Sequence, residues 1–216
     1  MKRIIHSVLS ITLIVALGAM LVGCGENVSL YQFERAFRDT ITVSENLDQV
    51  ADEDLASTDV EDLAFIIGDS VMQLSDTSEP TVQEKIARIR ELHDLIFQVH
   101  TDNVNTTQSI RLTAETTRTA IADFRSQGLN LTEADQTQIQ AWVTELQEIK
   151  LTLQSTIGLA FAQMRDLRGM YTLENIDLIL STYEGVYATL QTRSECLIRS
   201  LEILEDSQLL IEGYLS

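Results

Sequence analysis

The chain has 216 residues, of which 33 are acidic and 15 basic, for a formal net charge of −18. One proline and nine glycines are too few turn signals for a sheet protein and leave long helices as the main building material. A surface this acidic repels phosphate backbones and anionic headgroups, so nucleic acid is not an expected partner.

Met1-Lys2-Arg3 opens the chain with positive charge, and Ile4 to Val22 is apolar apart from His6, Ser7, Ser10 and Thr12. The stretch closes on Leu21-Val22-Gly23-Cys24: an aliphatic residue, a tolerant position, a small residue and a cysteine. A basic start, a short apolar run and a small residue before the cut are the parts of a secretory signal. The last four residues resemble the lipobox of bacterial lipoproteins. That resemblance covers residues 1–24 and places the rest of the chain in no family. It implies that residues 1–23 are a signal peptide removed before Cys24, and that the Cys24 thiol carries a lipid. One acyl chain holds a protein only marginally to a membrane, whereas two or more hold it stably. An uncut helical anchor over Ile4–Val22 is the competing reading, since that length just spans a bilayer.

Without residues 1–23 the chain keeps 13 basic against 33 acidic residues, a net of −20. Residues 24–216 are expected to form one extracytoplasmic domain. Gly25 stands where an aspartate would resemble an inner-membrane retention signal. The expected site is therefore the outer membrane of a two-membrane cell, or the outer face of the membrane in a one-membrane cell. Cys196, the second cysteine, has no internal partner once Cys24 is lipidated, and a buried, inert thiol is expected there.

From Ser29 onward apolar residues recur every three or four positions, the period of an amphipathic helix. Two short helices are predicted, at about 29–50 with Leu30, Phe33, Phe37, Ile41 and Leu47, and at about 59–75 with Val60, Leu63, Ile67 and Leu74. A long helix over 80–127 starts at Pro80, with Thr81 and Glu84 spaced as a capping box. Its seam includes Ile86, Ile89, His93, Ile96, His100, Asn103, Thr107 and Ile110. Gln127-Gly128-Leu129-Asn130 breaks it, and Thr132 suits the N-cap of a helix over 132–168 with a seam from Ile139 through Trp142, Leu146, Ile149, Leu153, Thr156 and Ala160. Gly169 and Thr172 predict a turn into a last helix, 172–215, whose seam alternates through Ile176, Leu180, Tyr183, Tyr187, Leu190, Ser194, Leu197, Leu201 and Leu204. Short connections make successive helices antiparallel. The predicted fold is all-α: an elongated antiparallel up-and-down bundle with coiled-coil-like seams. At 1.5 Å per residue its helices of about 40 residues give a length of about 60 Å.

Chemistry is sparse. There is no phosphate loop, dinucleotide fingerprint, haem-attachment motif or zinc-spaced Cys/His cluster. A di-metal bundle needs Glu-x-x-His, but Arg90 and Phe97 stand where the glutamates would precede His93 and His100. No catalytic residue, cofactor or metal is expected. One feature remains, a polar interruption of the long seam by His93, His100, Asn103 and Thr107. Antiparallel pairing with the next helix would set Asn103 near Thr156, Thr107 near Thr152 and His93 near Asp166. Such a layer fixes register, faces solvent or lines a ligand cavity. The leading expectation is a membrane-anchored, non-catalytic interaction or structural bundle of the envelope, with other envelope proteins as partners. The alternative is a ligand-binding or sensory bundle using the layer around His93–Thr107. A cavity there favours the second, a filled core the first.

Overall fold

The structure, a computed structural model, describes residues 28–47, 79–167 and 170–216. Cys24, the leader and the helix predicted at 59–75 lie outside them. All regular structure among the described residues is helical: α1 (Val28–Ser44), α2 (Pro80–Ser126), α3 (Glu133–Thr156), α4 (Leu159–Asp166), a 3-10 turn (Leu173–Asn175) and α5 (Ile176–Leu215). None of these helices is long and apolar enough to cross a membrane.

Local chemistry explains most helix ends. Pro80 occupies the first turn of α2, where a missing N–H costs nothing. The N-cap is Glu79, so Thr81 already lies inside the helix and the predicted capping box does not form. At the other end Gly128 adopts φ +66°. Its N–H reaches Arg125 O and that of Leu129 reaches Phe124 O, the paired bonds of a Schellman turn. Thr132 does cap α3, its hydroxyl oxygen accepting from the Asp135 N–H at 3.2 Å.

The predicted single helix over 132–168 is two helices. α3 stops at Thr156 and α4 begins at Leu159, with Gly158 between them at φ +65°. Only glycine takes that conformation without a Cβ penalty. The Gly158 N–H turns aside to Leu47 O at 3.1 Å, which ties the break to the end of α1.

Successive long helices alternate in direction, as an up-and-down bundle requires, yet the closest neighbours are not successive. The largest interface joins α2 to α5. Lys85 pairs with Asp177, Asn103 with Leu190, Thr116 with Gln208 and Phe124 with Tyr214, so these two helices run parallel. The second-largest interface joins α1 to α3, also parallel, through Phe33–Trp142, Thr40–Leu146 and Lys150–Asp39. Arg199 clamps Glu145 with two bonds, 2.6 and 3.0 Å, across the antiparallel α3–α5 contact. α2 and α3 therefore sit at opposite corners of the bundle. That corrects the expected pairing of Asn103 with Thr156 and of Thr107 with Thr152.

The seam of α5 is shifted as well. Its buried stripe runs Ile176, Ile179, Tyr183, Val186, Leu190, Arg193, Leu197, Ser200, Leu204, Ser207 and Ile211. Leu180, Tyr187, Leu201 and Leu215 flank it, half-buried. The predicted seam caught one member of each heptad pair and put the other one residue too late, taking Leu180, Tyr187 and Leu201 where Ile179, Val186 and Ser200 are buried.

Two apolar cores result. The lower one gathers α1, the second half of α2, α3 and the second half of α5 around Phe33, Phe37, Phe124, Trp142 and Leu197. The upper one gathers the first halves of α2 and α5 with α4 around Ile89, Leu92, Met164 and Tyr183. Cys196 is half-buried against the lower core rather than enclosed in it, and burial, then the neighbouring Glu195 charge, raises its thiol pKa.

The lower end is closed by a small polar cluster. Tyr214 donates to the Asp135 carboxylate and accepts from the Thr132 N–H at 2.9 Å. The Thr132 hydroxyl, and then Tyr214, hold the Asp135 carboxyl below its usual range. A depressed carboxylate stabilises the fold fully above its unfolded pKa of about 3.9, and the effect is lost as pH falls through the folded value. Tyr214→Phe should cost about 0.5–1 kcal/mol at pH 7, the low end because water screens this exposed cap. In urea melts the gap between wild type and variant should shrink below pH 4. A gap that does not change with pH would remove Asp135 from the account.

Candidate functional site

The two cores meet at a polar waist. His100, Asn103, Thr156 and Arg193 are all buried there, and apolar side chains resume above and below them. The waist coincides with the helix break at Gly158, and the break explains its chemistry. A helix C-terminus leaves carbonyls without partners and carries partial negative charge. The Arg193 guanidinium meets that end directly: Nη2 donates to Thr156 O at 2.5 Å and Nε to Thr156 Oγ1 at 3.1 Å. Nη2 also donates to Leu47 O at 3.1 Å, the same oxygen that receives the Gly158 N–H. One buried cation thus ties α5 to the last residue of α3, through its carbonyl and its hydroxyl, and to the turn after α1. Arg193 is 2% exposed. A guanidinium suits this position because its planar fork satisfies several acceptors at once.

Beside this knot lies a half-open cavity of about 200 Å³. α2 contributes His100, Asn103, Val104 and Thr107 to its wall, the end of α1 contributes Ser44, Glu45 and Leu47, and α5 contributes Arg193. Asn103 Nδ2 donates to Leu190 O at 3.1 Å, which orients the amide. Its Oδ1 is shielded from solvent and has no hydrogen-bond partner. The Ser44 hydroxyl donates to Thr40 O at 2.9 Å and keeps its acceptor side. Thr107 is half-buried, and unlike Thr101 and Thr106 it makes no bond back to its own helix. Glu45 faces Arg111 at 3.9 Å.

The predicted layer is therefore brought together only in part. His100, Asn103 and Thr107 share the cavity, on the same face of α2. Thr156 belongs to the Arg193 knot. His93, two turns above His100, is half-buried in the upper core with its ring 6.3 Å from that of Tyr183. Asp166 is exposed at the end of α4 and lies 3.6 Å from its neighbour Arg165, so the expected approach of His93 to Asp166 is absent. α4 packs on α5, which explains this correction.

Arg193 is the residue that sequence reasoning missed. Its signal was present: the three-four alternation from Ile176, Ile179, Tyr183, Val186 and Leu190 lands on Arg193 and resumes at Leu197. A charged residue in phase with a seam is the mark of a buried, partnered cation.

No group of three His, Cys, Asp or Glu side chains able to hold a metal occurs among the described residues. Tyr171 and Tyr183 are pushed above the usual phenol range, by burial first, so both stay neutral. Comparison with known proteins finds no matching family model, no similar curated protein and no similar solved structure.

Proposed function

We propose that this chain is a lipid-anchored, extracytoplasmic, non-catalytic helical bundle that binds a small ligand at its waist. The anchor rests on Leu21-Val22-Gly23-Cys24. The cavity between α1, α2 and α5, at the position of the polar interruption in α2, carries the ligand-binding reading. Val28, four residues past Cys24, begins α1 at the lower end of the bundle, and Ser44 at the cavity lies about 25 Å further along that helix. A lipid on Cys24 would hold the lower core towards the membrane and the upper core away from it.

Two measurements test this. Cys24→Ser should abolish lipidation and lipoprotein-type cleavage, read by mass spectrometry of the N-terminal peptide. An unmodified Cys24 in the wild type sinks the anchor. A thermal-shift screen against metals and small metabolites should find a ligand that raises the melting temperature. Replacing Asn103 and Thr107 together by Ile and Val should remove that rise. Binding at 100 times Kd adds about 2.7 kcal/mol, well within detection. A flat screen, with a more stable double variant, would return the waist to a purely structural role.

A second reading, an interaction or structural bundle among envelope proteins, draws on Phe97, Val104 and Leu112. These are 50%, 51% and 58% exposed and recur along one side of α2. Phe97→Glu should disrupt such an association and leave ligand binding intact.

A further inference from the structure

The break between α3 and α4 does not disturb the path that the two helices share. Leu153, Thr156, Ala160, Met164 and Leu167 are all buried, and on one uninterrupted helix they would fall on a single face. Contacts with α5 step along in one antiparallel register, from Arg199 with Glu145, through Arg193 with Thr156, to Gly185, where an added Cβ would lie 3.2 Å from Gln163 Nε2. Nothing in this packing calls for a break. We infer that α3 and α4 form a two-state switch, broken while the end of α1 is docked and one continuous helix when it is withdrawn.

Backbone hydrogen bonds set the balance. The break leaves the first N–H groups of α4, on Leu159, Ala160 and Phe161, without carbonyls of a preceding turn, and no side chain caps them. Closing it would let the N–H groups of Gly158, Leu159, Ala160 and Phe161 bond Gln154 O, Ser155 O, Thr156 O and Ile157 O. Against that gain stand two contacts, Gly158 N–H to Leu47 O at 3.1 Å and Arg193 Nη2 to Thr156 O. Arg193 can keep Thr156 Oγ1 and Leu47 O in either state, so the buried guanidinium stays partnered. On a continuous helix position 158 lies on the side away from Leu153 and Ala160, so a methyl group there meets no core.

Leu47 is the input. Its carbonyl is the acceptor that Gly158 turns aside to reach, and its side chain is buried in the lower core. When the turn after α1 withdraws, the Gly158 N–H loses that acceptor and finds a replacement in Gln154 O of the straightened helix. The output is α4, which packs on α5 in the upper half. Movement at the end of α1 thus reaches the upper core through a discrete rearrangement rather than through gradual strain.

Hydrogen exchange of the full chain in detergent micelles tests this at the Ala160 and Phe161 amides, which gain helical bonds only in the straight state. In Gly158→Ala the alanine disfavours the left-handed conformation and favours the helix, together a shift of roughly thirtyfold or more towards the straight state. Exchange at both amides should slow at least fivefold. Leu47→Ala loosens the docked end of α1 and should slow the same amides at least twofold, although it removes a buried side chain. The sign discriminates, because with a single fixed break either substitution leaves these amides unchanged or faster. Amides around Leu146 in α3 report whether each variant is folded. A folded Gly158→Ala without the slowing overturns the switch. Slowing in Gly158→Ala with none in Leu47→Ala overturns the input assigned to α1. If Gly158→Ala does not fold, Leu47→Ala alone decides, and unchanged or faster exchange in it overturns the switch.

Discussion

Arg193→Ala should destabilise the protein by roughly 3–5 kcal/mol, measured by urea unfolding. Three hydrogen bonds from a charged donor are lost, each in the range of about 1.5–3 kcal/mol before relaxation. The larger effect is what stays behind. The carbonyls of Thr156 and Leu47 lose a donor in a buried region, and a hole opens where a large side chain was fully enclosed. Arg193→Lys should recover less than half of the loss, because an ammonium keeps the charge without the planar fork. Arg199→Ala is the matched control. Arg199 also bonds twice across helices, to Glu145, but its side chain is 41% exposed, and the expected cost is about 1 kcal/mol or less. Equal losses at the two arginines would mean that the waist is not held by Arg193.

The second large effect separates two neighbouring leucines. Leu197 is fully buried in the lower core, whereas Leu201 only flanks it. Leu197→Ala should cost about 2–5 kcal/mol, and Leu201→Ala about 1 kcal/mol. Leu197→Asp should leave the chain unfolded at room temperature, since an unpaired carboxylate cannot be desolvated there at tolerable cost. A seam in the phase that apolar content suggests would include both residues and predict equal losses. Thermal melts of the two alanine variants therefore decide the phase of α5.

Those two experiments touch the places where sequence reasoning stopped. Helix class and most boundaries were legible because they depend on local chemistry: Pro80, Gly128 and Thr132 act within a turn of where they stand. Alternating direction was legible from the short connections. Lateral order was not, because a connection such as 127–132 constrains which way the next helix runs more than which corner it occupies. The broken helix was missed since Gly158 sits in an otherwise continuous pattern, and its turn is made worthwhile by distant partners, Leu47 and Arg193. Of the expected polar layer, the part carried by one helix face survived as His100, Asn103 and Thr107. The part that relied on a partner helix, Thr156 with Asn103 and Asp166 with His93, did not.

The break at Gly158 has a mechanical side. Above and below the waist, α2 and α5 run on without interruption, while the third strut changes from α3 to α4 at this level. Two continuous rods beside a severed one bend most easily at the cut. From Asn103 to Pro80 the rod is about 35 Å long at 1.5 Å per residue, so it acts as a lever arm. A tilt of about 5° at the waist displaces the far tip by about 3 Å on that length. On that length, an ångström-scale adjustment of the waist would be magnified several-fold at the end farthest from Val28.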